Sequence, residues 1–182
     1  AGAVCASSTL AAAGATSLAT TARMTVGTGI SAVANAIVKH AVVTVGNLIE
    51  TTIALDLTGL SSSAAADIIG KEATANCHYG QITAANNGTI LSGYMQCLET
   101  PTTGEPDIDL YSANEATGTE DAAVTGLTNQ TQMCDSGDFA IGTVVGIPTP
   151  PAANKYMYMV TGAATDANYT AGKLLIELFG YV

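Results

Sequence analysis

The stretch KYMYMVTGAATDANYTAGKLLIELFGYV, residues 155–182, decides how the rest of the chain is read. Tyr156, Met157, Tyr158, Met159 and Val160 are apolar at every position, the pattern of a strand buried on both faces. After a loop of small residues, Leu174, Ile176 and Leu178 fall on one face while Lys173 and Glu177 fall on the other. A period of two marks a strand, because successive side chains point to opposite sides of a sheet.

The same period recurs upstream. In NLIETTIALDLTGL, residues 47–60, Ile49, Thr51, Ile53, Leu55 and Leu57 share a face opposite Glu50, Thr52, Ala54, Asp56 and Thr58. NCHYGQITA (76–84) and TILSGYMQCLE (89–99) flank ANNG, where Asn87-Gly88 suits the positive-φ pair of a type I′ turn, so the spacing predicts a hairpin. Residues 100–121 are rich in Pro, Gly and acids and read as an irregular excursion carrying one short strand at Ile108–Tyr111. Weaker elements are expected at Ala122–Leu127 and Phe139–Ile147. Many short strands with turn signals and no long helix predict an all-β fold, an antiparallel β-sandwich (jelly-roll-like) over residues 36–182.

Residues 1–35 read differently. They are built from Ala, Ser, Thr and Gly and hold no steady apolar stripe, so they are expected to form an extended N-terminal arm outside the sandwich core. Within it RMTVGTGI, residues 23–30, is expected to add as a strand to the sheet edge of a neighbouring subunit. The start AGAVCASSTL lacks the cationic region of a signal peptide, and Ala1 reads as the product of initiator-Met removal or of proteolytic maturation.

Composition narrows the function. The chain has 182 residues, the size of one domain, and only 11% are charged, against about 25% in a typical soluble domain. Mean hydropathy is +0.34. A surface so poor in charge is expected to be covered in part by other subunits, making the chain a homo-oligomer. The net charge is −10, and no Lys or Arg stands between Lys71 and Lys155. Nucleic acid and anionic membrane are therefore excluded as expected partners, since both need clustered cations. No apolar run is long enough for a membrane helix.

Groups able to do chemistry are few. Cys5, Cys77, Cys97 and Cys134 show no metal-binding spacing and read as packed free thiols, with a Cys97–Cys134 bridge left open. Cys77 and His78 are neighbours, but in a strand they point to opposite faces and cannot form a dyad; His40 could approach only through the fold. Asp107, Asp109 and Glu115 offer hard oxygen ligands for Ca²⁺, without the glycine and closing acid of an EF-hand, and read as a solvated acidic loop. Asn87, Asn129 and Asn168 open glycosylation triplets of the kind a Thr-rich chain produces by chance. The sequence thus assigns no catalytic, cofactor-binding or metal-ligating residue, and the chain reads as no enzyme.

Four segments carry a resemblance: IETTIALDLTGLSSSAAADIIG, GQITAANNGTILSGYMQCLETP, DIDLYSANEATGTEDAAV and NYTAGKLLIELFGY. In this order, across residues 40–182, they resemble small virion structural proteins of marine tailed phages, including those of cyanobacteria. The resemblance implies a structural component of a bacteriophage virion. It also implies a chain too short for the main shell protein, hence a capsid decoration or cement protein on the outer capsid surface. Its expected partners are the major capsid protein and copies of itself, with a trimer on local threefolds expected by analogy with head decoration proteins. An acidic subunit sits more comfortably outside a DNA-filled shell than within it. The alternatives are an extracellular filament subunit assembling by strand donation, and a host-surface or glycan-binding module.

Overall fold

The computed structural model describes residues 24–33 and 38–182; residues 1–23 and 34–37, most of the expected arm, lie outside the described part. The strands in chain order are β1 (Val38–Val45), β2 (Leu48–Asp56), β3 (Ser61–Ser62), β4 (Gly80–Gln81), β5 (Thr89–Thr102) and β6 (Ile108–Ala113). They continue with β7 (Thr131–Cys134), β8 (Val144–Gly146), β9 (Tyr156–Thr161), β10 (Ala167–Asn168) and β11 (Ala171–Tyr181). Two single helical turns, α1 (Thr28–Ser31) and α2 (Ala84–Asn87), accompany them. One sheet has the order β1-β2-β11-β5-β8 and the other β4-β9-β6-β7, while β3 and β10 form a two-residue ladder of their own. All the strand pairs are antiparallel. The molecule is an all-β antiparallel sandwich, as the period-two patterning predicts.

The core follows the alternation. Ile49, Thr51, Ile53, Leu55 and Leu57 are all buried, as are Leu174, Ile176 and Leu178 of the central strand β11. From the opposite sheet come Ile108, Leu110 and the β9 run Met157–Val160, buried on both faces. The Tyr158 hydroxyl leaves that run to donate to the Glu115 carbonyl at 2.6 Å and accept from the Gly118 N–H at 3.3 Å, so its polar end is satisfied. Glu177, expected to face water, is buried; the Thr52 hydroxyl donates to its carboxylate at 2.9 Å.

The hairpin around Asn87-Gly88 does not form. Residues 80–81 pair with β9 in one sheet, and β5 pairs with β11 and β8 in the other. The reason is local capping. The Thr83 hydroxyl accepts from the Asn86 N–H at 3.2 Å and starts α2, as an N-cap does. Asn87 is buried, accepting from the Thr83 N–H at 2.9 Å and donating to the Thr51 hydroxyl at 3.0 Å. Gly88, at φ +64°, then turns the chain out of the helical turn. This connection carries the chain from one sheet to the other instead of folding it back.

A second correction concerns the arm. The described part of RMTVGTGI does not extend toward a neighbour but lies in its own core: Met24 and Ile30 are buried. The Gly27 N–H donates to the His78 carbonyl at 2.9 Å, the Gly29 N–H to Asn76 at 3.1 Å, and the Lys71 N–H to Gly29 at 2.6 Å. Glycine is required there by close approach. A Cβ on Gly27 would overlap the Asn76 carbonyl oxygen, and one on Gly29 the Cys77 sulfur. The sequence expectation missed this because backbone packed on backbone leaves no apolar period to read.

Of the weaker elements, Ala122–Leu127 holds only a 3₁₀ turn at Val124–Gly126, and Phe139–Ile147 holds the three-residue β8. Strand β7, which the sequence reading lacked, pairs with β6 through Leu110–Cys134 and Tyr111–Gln132.

Candidate functional site

Among the described residues the thiols and histidines are used in packing. Cys77 is wedged where Gly29 and Gly70 leave room, its sulfur directed at the Thr74 carbonyl oxygen 3.1 Å away. Burial pushes its thiol up to about 12, and does the same to Cys134. Neither is a thiolate at neutral pH, so neither is a poised nucleophile. Cys97 is also a buried free thiol, and the open Cys97–Cys134 bridge is not formed. His78 is buried edge-on against Tyr156, centroids 4.9 Å apart, and its Nδ1 has no partner. The His40 Nε2 lies 2.8 Å from the Tyr79 carbonyl, tying β1 of one sheet to the approach of β4 in the other. Burial lowers the pKa of both imidazoles, so both are neutral at pH 7. The dye-accessible thiol count of Cys77, Cys97 and Cys134 is accordingly expected to be zero in buffer and complete in denaturant, measured with single Cys→Ser variants; rapid labelling of any of them in buffer would contradict this burial.

The acidic excursion is arranged differently from its sequence order. Asp107 and Asp109 are brought together not with Glu115 but with Asp135, their carboxylate oxygens lying within 4.8 Å of one another. Glu115 instead accepts from the Thr128 N–H at 2.8 Å, which lowers its pKa. Asp109 is buried and accepts from Gln132 Nε2 at 2.8 Å and from the Ser136 N–H at 3.2 Å. Loss of hydration raises its pKa from 3.8 to about 6, with the charges of Asp135 and Asp107 adding to the rise. One Asp107 oxygen is buried without a partner. Among the described residues these three could ligate a divalent cation, which would draw its remaining oxygens from backbone or water.

Two surface clefts accompany them. One of about 410 Å³ is lined by Glu72, Glu120, Asp121 and Asp166 among small polar residues. The other, of about 340 Å³, lies between Met24, His78, Gln81 and Tyr156. Neither joins a nucleophile to a base. Of the glycosylation triplets, Asn87 is buried, whereas Asn129 and Asn168 are exposed.

The outer face of the five-stranded sheet is more distinctive. Val45, Leu48, Leu91, Phe179, Tyr181 and Val182 are between 38% and 64% exposed at one end of that sheet. Val45 pairs with Leu48, and Leu48 with Tyr181, so three adjacent strands present a row of apolar side chains to the outside. Leu98, Ile141 and Val144 form a smaller exposed apolar group near β8. The sequence reading placed Leu174, Ile176 and Leu178 of β11 inward, where they are, and assigned no face to Phe179 or Tyr181, so this patch went unread. Among the described residues the only ion pairs are those of Lys173 with Asp56 and Glu99. No helix among them is long and apolar enough to cross a membrane.

No protein-family model, curated protein or solved structure matches the chain.

Proposed function

We propose that this chain is a structural component of a phage virion, a decoration or cement protein that binds the outer surface of the capsid. Its partners in this reading are the major capsid protein and copies of itself. The observation that carries it is the uncovered apolar end of the five-stranded sheet, on a chain whose described thiols, Cys77, Cys97 and Cys134, are buried in packing together with His78. Contiguous exposed apolar surface marks an interaction site. The resemblance of four segments to small virion proteins supplies the kind of partner. The net charge of −10 favours the outside of a shell filled with DNA.

Co-sedimentation with empty capsids lacking the protein tests this. The intact chain is expected to pellet saturably with shells and to stay in solution alone. Replacing Phe179 and Leu91 together by Glu is expected to weaken attachment by about a hundredfold or more with the fold retained, since burying each large apolar side chain is worth about 1.5–3 kcal/mol. Fibres formed by the protein alone would favour the filament reading, and an unchanged affinity of the double variant would remove this face from the interface.

A further inference from the structure

Among the described residues the two packed sheets have four edges, and they are not alike. Strands β4, β7 and β8 end their sheets with two, four and three residues. Short edges of this kind are one way proteins avoid unwanted pairing. The fourth edge, β1, runs eight residues, VKHAVVTV, in unbroken register with β2. It has no proline and no bulge, and Lys39 is its one charged residue. Among the described residues no main-chain hydrogen bond is made to its outer side.

The open groups can be assigned. Val45 and Leu48 flank the two-residue turn Gly46-Asn47, with Gly46 at φ +62°. In such a hairpin the flanking pair exchanges both bonds, so Val45, Val43 and Ala41 turn their main-chain groups toward β2. Thr44, Val42 and His40 then turn theirs outward. An outward row of alternating N–H and C=O groups fits one kind of partner, another extended strand.

We infer that β1 pairs antiparallel with β1 of a second copy, joining the two five-stranded sheets into one continuous sheet across a twofold axis. The strand is self-complementary. Pairing centred on Ala41 places residue 40 opposite residue 42 and residue 38 opposite residue 44, all outward-turned groups. It sets Lys39 of each copy opposite Val43, whose β2 partner is the exposed Glu50. In this register no like-charged residues stand opposite one another across the seam. The exposed Val45 and Leu48 continue the apolar row beside this seam. The contact is twofold, in place of the threefold one expected by analogy, and does not depend on the virion reading.

Light scattering of the full chain at micromolar concentration tests it. The expected mass is twice 18.2 kDa. Thr44→Pro removes an outward N–H while sparing the ladder to β2, and Ala41→Lys sets two cations face to face at the axis. Each is expected to halve the mass with the far-UV circular dichroism unchanged. Ala41→Cys is expected to give a covalent dimer under mild oxidation, unlike the parent chain, because residues facing across the axis stand close enough for a disulfide. A monomeric parent chain overturns the inference. So does an oligomer that keeps its mass in folded Ala41→Lys and yields no linkage at residue 41. Loss of shell binding by the Phe179/Leu91 variant with the dimer intact would separate this contact from capsid attachment.

Discussion

A chain shortened to begin at residue 34 is expected to melt about 10–20 °C below one that begins at Met24. The shorter chain loses Met24 and Ile30, which are 6% and 0% exposed. Burial of two such side chains is worth about 1.5–3 kcal/mol each. It also loses the main-chain bonds from Gly27, Gly29 and Lys71, leaving the His78 and Asn76 carbonyls without their donors. The total is on the order of 5 kcal/mol against the 5–15 kcal/mol that holds a typical domain, and each kcal/mol shifts melting by about 2–4 °C at this size. Ile30→Ala provides a milder check, with about 2–5 kcal/mol expected for a fully buried Ile. Equal melting of the two truncated chains would mean that residues 24–33 do not belong to their own core.

The second large effect comes from Asp109. Its folded pKa, about 6, lies above its ordinary 3.8, so between those values the folded chain binds more protons than the unfolded one. Stability from this group is therefore fully present below pH 3.8 and is lost as pH rises through about 6. Two pH units correspond to on the order of 2–3 kcal/mol lost at pH 7. Asp109→Asn removes the charge, and its amide can still meet Gln132 once that side chain's amide is turned. The variant is expected to be more stable than the parent by about 2 kcal/mol at pH 7 and no more stable at pH 4, read from denaturant unfolding at both. A variant equally destabilised at both pH values would show that the hydrogen bonds to Gln132 and Ser136 outweigh the buried charge.

These two effects lie where the sequence was hardest to read. Alternation is a local property, so the inward face of β2, the two-faced β9 and the inward Leu174, Ile176 and Leu178 of β11 could be read directly. The Asn87-Gly88 pair carries a turn signal that serves two geometries. A threonine four residues before Asn87 caps a helical turn, and that capping wins over the type I′ turn. Asp135 could not be placed beside Asp107 and Asp109 without the β6–β7 ladder, which is set by a pairing across more than twenty residues of chain. Gly27 and Gly29 carry no side chain to reveal a contact. The exposed face of the five-stranded sheet shows its apolar residues plainly in the sequence. What the sequence lacks is which of them a second layer covers, and that is decided by tertiary packing.

The proposal that the chain is an external capsid subunit is tested most directly by image reconstruction of empty heads to which the purified protein has been added. Added density is predicted at regular positions on the outside of the shell, shaped as the sandwich, with the apolar end at Phe179 and Tyr181 turned toward the capsid. Density inside the shell, density confined to tail or fibre, or heads identical with and without the protein would contradict it.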